Sequence, residues 1–80
     1  MKEKILSLMN EIASESGVVL NSKIDTTTIL LESGLDSLGF AILIARLEEE
    51  LGYDPFTMMD EPVYPQTFGQ LVKIYQRFAP

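Results

Sequence analysis

The stretch LDSLGFAILIARLEEELG, residues 35–52, decides the fold. At about 100° per residue, Phe40, Leu43, Ile44, Leu47 and Leu51 fall on one face of a helix. Asp36 supplies an N-cap oxygen ahead of Ser37, and Gly52 supplies a stop. The spacing therefore predicts a helix over 37–51 with that face turned to a core. Leu38, Ile42 and Ala45 fall on the opposite side, with Glu49 beyond them. A helix of a small bundle normally shows water a polar back, so an apolar back requires an explanation.

Outward from this helix, the chain supplies what the core face needs. Ile5, Leu8, Met9, Ile12 and Ala13 repeat at i, i+3, i+4, i+7 and i+8, which predicts an amphipathic helix over 3–16 ending at Gly17. Residues 17–35 are less periodic. Thr26, Thr27 and Thr28 disfavour a helix, while Ile29, Leu30 and Leu31 need cover, so a long ordered loop with one short helical turn is expected to fold back over the bundle. Prolines punctuate residues 53–66 and leave room for one short helix, Phe56–Glu61, halted by Pro62. Thr67 and Gln70 form a T-x-x-Q capping box before a last helix whose stripe is Phe68, Leu71, Val72, Tyr75 and Phe78. No repeat, low-complexity tract or strand-like alternation stands out. The expected fold is an all-α bundle of three main helices plus one short helix, in a single domain over residues 1–80.

The chain has 80 residues, 46 % of them hydrophobic, which suits one modest core. It has no cysteine and no histidine, so neither a disulfide nor a thiolate metal site is available. Its acids do not match the D-x-[DN]-x-[DN]-G calcium pattern, and no metal site is expected. The opening residues lack the unbroken apolar core of a signal peptide, and no run approaches the roughly 18 apolar residues of a membrane span. A cytoplasmic protein without membrane insertion is expected. Twelve acidic residues against six basic ones give a formal charge of −6, which repels nucleic acid and suits either solubility or partners with basic surfaces.

Ser37 invites three readings. A nucleophilic serine needs a base and a group that orients it. Histidine is absent, no lysine lies nearby in sequence, and Leu35 stands where a G-x-S-x-G elbow requires glycine. As a cap, Ser37 is redundant beside Asp36. As an attachment point it needs no activation of its own, and a phosphodiester there sits at the positive end of the helix dipole. An ordinary exposed serine at a helix start also remains open on these residues alone.

The segment LLESGLDSLGFAILIARLEEELG, residues 30–52, resembles the prosthetic-group attachment segment of the acyl carrier protein family, in which a D-S-L tripeptide opens the second helix. The first helix, the long loop, LEEEL and the final PQTFGQLVKIY are similar to that family in order across nearly the whole chain. The resemblance implies that Ser37 carries 4′-phosphopantetheine, transferred from coenzyme A by a separate phosphopantetheinyl transferase. The arm's thiol then holds an acyl or aminoacyl group as a thioester, and the protein is a carrier, not an enzyme. Asp36 and Leu38 flank the attachment point, and Asp36, Leu38 and Ile42 offer the transferase contacts.

Members serving fatty-acid synthesis usually carry acids where this chain has Gly39 and Ile42. Gly39, Leu38, Ile42 and Ala45 are therefore expected to dock partners through apolar contact, with Glu48, Glu49 and Glu50 as an acidic rim. Those glutamates oppose the dipole by tenths of a kcal/mol each. The departure points to a specialised pathway (surface polysaccharide, amino-acid transfer or secondary metabolism). The expected partners are an adenylate-forming acyl or aminoacyl ligase and downstream transferases. A D-alanyl or other aminoacyl carrier is the alternative, and a small acidic helical adaptor without a prosthetic group is the alternative of another class. A monomer is expected. Met58 and Met59 can shield an acyl chain or fill core gaps; Tyr53, Phe56 and Tyr64 are expected to pack.

Overall fold

Helix α1 spans Lys2–Ser16, and its buried residues are Ile5, Leu8, Met9, Ile12 and Ala13, the stripe that the spacing predicts. Helix α2 spans Ser37–Leu51, with Leu43 and Leu47 fully buried and Phe40, Ile44 and Leu51 packed at the core's margin. The structure, a computed structural model, describes residues 1–61 and 63–80. Helix α4, Phe68–Arg77, buries Phe68, Leu71, Val72 and Tyr75, and Thr67 with Gln70 forms the expected capping box. The three helices meet in one apolar cluster that also takes Leu30 and Leu35 from the α1–α2 loop. Each such side chain contributes roughly 1.5–3 kcal/mol by leaving water. Helices account for the regular structure of the described residues, so the protein is an all-α bundle; among these residues the one extended pairing is an isolated bridge between Ile29 and Thr67.

The α1–α2 loop is ordered, as expected, and has one 3₁₀ turn over Leu30–Glu32. Its path is fixed by α4. The N–H groups of Phe68 and Gly69, orphans of the first turn, donate to the carbonyls of Thr28 (2.9 Å) and Thr26 (3.0 Å), and Leu30 N–H donates to Gln66 O (2.9 Å). Gly69 permits this approach, because a Cβ there would lie 2.8 Å from Thr26 O. At the loop's other side Gly34 has φ +117, and a Cβ would lie 2.5 Å from Val19 O; a side chain is excluded twice over.

The short helix departs from expectation. Helix α3 runs Pro55–Met58, not Phe56–Glu61, because Asp54 accepts from Phe56 N–H at 2.9 Å and Pro55 occupies the first turn. Met59 is already extended, at φ −77 and ψ 140, so the stop comes early; Pro62, the expected stop, lies outside the described residues. Across α1 and α2, Lys4 Nζ pairs with Glu50 Oε2 at 2.8 Å, and Arg46 reaches Glu11 (3.5 Å) and Glu15 (3.7 Å). These pairs are largely solvated and add little stability. Among the described residues no helix is long and apolar enough to cross a membrane.

Candidate functional site

Ser37 is the first residue of α2, and its side chain is exposed. Asp36, just outside the helix with extended backbone, accepts from Gly39 N–H through Oδ1 at 2.8 Å, and its carbonyl accepts from Phe40 N–H at 2.9 Å. Capping thus uses the N–H groups of the third and fourth helical residues. Among the described residues, those of Ser37 and Leu38 have no protein acceptor. An unhindered hydroxyl therefore stands beside two free donors at the positive end of a fifteen-residue helix.

Beyond Ser37 the outward face of α2 follows the expected order. Leu38 is 67 % exposed and Ile42 37 %, and Ala45, Glu48 and Glu49 are exposed. Two expectations need correction. Gly39 is buried, and a Cβ there would lie 3.3 Å from Leu35 Cδ2 and 3.4 Å from Asp36 Oδ1; it lies beneath the cap and offers a partner no surface. Glu50 turns to Lys4, whose hydrogen bond holds its carboxyl below the ordinary range, so the free acidic rim reduces to Glu48 and Glu49. Arg46, the cation of α2, turns toward α1. The outward face is left apolar near Ser37 and acidic near its far end.

Sequence reasoning missed a cleft beside Ser37. It has a volume of about 370 Å³ and is lined by Ile29 and Leu31 of the loop, Tyr64 and Pro65 before α4, and Phe40 of α2. Tyr64 was expected to pack, yet it is 78 % exposed. The available signal was the run Ile29-Leu30-Leu31 after the threonines. Around an extended Ile29 and the following turn only Leu30 enters the core; Ile29 and Leu31 remain 47 % and 61 % exposed. Met58 and Met59 do not line this cleft. They border a separate groove with Ile74 and Phe78, and Met58 is too exposed to fill a core gap.

The fold and the site are those of a small helical bundle with an accessible serine at the start of α2. The match of the family model for the phosphopantetheine attachment site to residues 6–59 places the chain in that family, the phosphopantetheine-binding carrier proteins. Comparison with curated proteins and with solved structures gave no match. Domains of this family bear 4′-phosphopantetheine covalently, are in general carriers without catalysis of their own, and work with a phosphopantetheinyl transferase and biosynthetic enzymes. The residues here fit that group: the matched span contains an accessible hydroxyl, with unclaimed N–H groups next to it to donate to a phosphodiester's oxygens.

Proposed function

We propose that Ser37 is the residue that carries 4′-phosphopantetheine, and that the 80 residues work as one monomeric, cytoplasmic carrier domain in a specialised biosynthetic pathway. The observation that carries this reading is the exposed Ser37 hydroxyl at the start of α2, inside the matched span and beside the free N–H groups of Ser37 and Leu38. In loading, the Ser37 hydroxyl would take the phosphopantetheine phosphorus of coenzyme A, with the pyrophosphate bond breaking to release adenosine 3′,5′-bisphosphate and the serine proton leaving to a base of the transferase. When bound, the arm supplies the thiol this chain lacks, on which an acyl or aminoacyl cargo is held as a thioester.

The chain's own residues position that event. Asp36 fixes the first turn through Gly39 N–H and keeps Ser37 at the first helical position. Leu38, Ile42 and Ala45 give the transferase, the adenylate-forming ligase and downstream transferases an apolar surface, and Glu48 and Glu49 complement a basic rim on those partners.

The test is chemical. The 80-residue chain incubated with coenzyme A, magnesium and a promiscuous phosphopantetheinyl transferase gains the mass of one phosphopantetheine, and Ser37→Ala gains none. A folded wild-type chain that gains no mass, or a Ser37→Ala chain that still does, refutes the assignment; the first outcome favours an adaptor without a prosthetic group.

A further inference from the structure

Arg46 occupies a sensitive place on α2. It follows Ile42 by four residues and precedes Glu49 by three, so helical spacing makes both its neighbours on the helix surface. Ile42 belongs to the apolar strip that begins beside Ser37, and Glu49 to the acidic rim. A guanidinium turned that way would bring positive charge to the strip and pair with the rim carboxylate. It turns the other way. Nη2 of Arg46 reaches Glu11 Oε2 at 3.5 Å, and Nη1 reaches Glu15 Oε1 at 3.7 Å. Both acids stand on α1, one helical turn apart, so they hold the two arms of one planar fork from a single side.

Stability is a poor explanation of this arrangement. Both contacts are longer than a good hydrogen bond, and the Glu11 and Glu15 side chains are 53 % and 69 % exposed. Exposed pairs of that kind add little to a fold. Their effect on local charge is larger, because two carboxylates against one guanidinium leave a negative charge in excess. The other cations of the described residues, Lys2, Lys4, Lys23, Lys73 and Arg77, lie on α1, the α1–α2 loop and α4. Among these residues, then, the outward face of α2 presents no positive charge, because α1 holds the helix's own cation aside. Resting on the proposed loading of Ser37 by partners that dock on that face, we infer that Glu11 and Glu15 are positioning residues for partner recognition. Through Arg46 they keep the face apolar and negative, and so favour partners with a basic surface. Such a partner meets Glu48 and Glu49 with no opposing charge beside them, which acts on encounter and docking and leaves the chemical step alone.

The experiment follows loading of the 80-residue chain by intact mass and by initial rate over a range of carrier concentrations. It uses coenzyme A, magnesium and a phosphopantetheinyl transferase with a basic docking surface. Glu11→Gln/Glu15→Gln should raise KM for the carrier about fivefold with kcat unchanged, and the difference should shrink at high salt. Adding Arg46→Gln to that pair removes the released charge and should return KM to the wild-type range. A merely structural loss would deepen with the third substitution instead. Glu3→Gln/Glu61→Gln makes the same change in net charge at exposed carboxylates that do not pair with Arg46, and should leave KM within about twofold. Circular dichroism and urea midpoints should not move in any variant. Normal loading with KM unmoved in Glu11→Gln/Glu15→Gln overturns the inference alone. So does a raised KM that Arg46→Gln fails to rescue, or one that persists at high salt. An equal rise in Glu3→Gln/Glu61→Gln overturns it too, because total charge would then be the cause, and unfolding of the Glu11→Gln/Glu15→Gln chain would make the pairs structural. A folded wild-type chain that gains no mass overturns the attachment reading, and a Leu38→Ser/Ile42→Ser chain that loads at the wild-type KM overturns the docking face; this inference falls with either.

Discussion

The two ends of α2 use the same kinds of side chain to opposite effect. At the C-terminal end Leu47 is fully buried, and Tyr53, Phe56 and Tyr75 close over the helix with ring centroids 5.9 Å (Tyr53–Tyr75) and 6.1 Å (Phe56–Tyr75) apart. Tyr53 Oη–H also donates to Tyr75 O at 2.6 Å, which ties the segment after α2 to α4. At the N-terminal end Leu38 faces water, and Ile29, Leu31 and Tyr64 stand around a cleft with no other segment of the described residues over them. Both ends are apolar, so hydropathy does not separate them; cover does. Tyr53, Phe56 and Tyr75 close one end, while at the other the loop is bonded to the start of α4 and leaves Ile29 and Leu31 exposed. Apolar surface that a fold has the means to bury and leaves open is surface available to another molecule.

The largest expected effect tests whether the sealed end carries the stability. Leu47→Ala should cost about 2–5 kcal/mol, the range for truncating a fully buried leucine, measured by urea denaturation. Leu38→Ala should stay within about 0.5 kcal/mol, as substitutions at exposed positions do. Near-equal losses would break the comparison, because Leu38 would then be part of the packed structure.

Much of this division is legible in the sequence. The 3.6-residue stripes of α1, α2 and α4, the Asp36 cap and the Thr67–Gln70 box are local signals, and they match the structure except that Phe78, the last of the α4 stripe, falls at the C-cap and is only half-buried. The apolar back of α2 is legible too, since opposite faces of a helix follow from spacing alone. Local pattern does not carry the meeting of residues 26–30 with residues 66–69, which depends on backbone groups any residue would offer. The cleft made by that meeting, the exposure of Tyr64 and the burial of Gly39 beneath Leu35 are consequences of tertiary packing. The early end of α3 is a local feature that the prolines obscured: Asp54 and Pro55 set its start, and the chain turns extended before Pro62 is reached.

A smaller effect sharpens the comparison within the sealed end. Tyr75 is fully buried, and its Oη has no hydrogen-bond partner among the described residues. Burial, aided by the nearby Asp54 charge, pushes its pKa well above the ordinary phenol range, so the group is neutral at any physiological pH. An unpaired buried hydroxyl costs free energy that a phenyl ring does not. Tyr75→Phe should therefore raise stability by about 1 kcal/mol, whereas Tyr53→Phe, which removes the bond to Tyr75 O, should lower it by about 1 kcal/mol. Opposite signs from the same chemical change would separate packing from hydrogen bonding at this end. A loss in both would mean that Tyr75 Oη has a partner, such as a buried water.

The smallest effect belongs to the open end and appears only in acid. Asp25 Oδ1 accepts from the Thr27 hydroxyl at 2.6 Å and from Thr27 N–H at 2.8 Å, which shapes the segment whose Thr26 and Thr28 carbonyls meet α4. The Thr27 hydroxyl bond is the leading cause of a carboxyl pKa below its ordinary 3.8. The folded-state pKa is depressed, so the carboxylate's contribution is full above 3.8 and is lost as pH falls through the lower folded value. Hydrogen exchange followed from pH 6 down toward pH 3, corrected for intrinsic rates, should show residues 25–31 losing protection before Leu47 and Tyr75 do. In Asp25→Asn that acid-dependent step should be weaker, because the amide keeps an acceptor oxygen and has no proton to gain. Loss of protection at both ends together would mean that the loop and the aromatic closure unfold as one unit. The open end would then owe its form to the whole bundle, not to the threonine segment that holds the loop against α4.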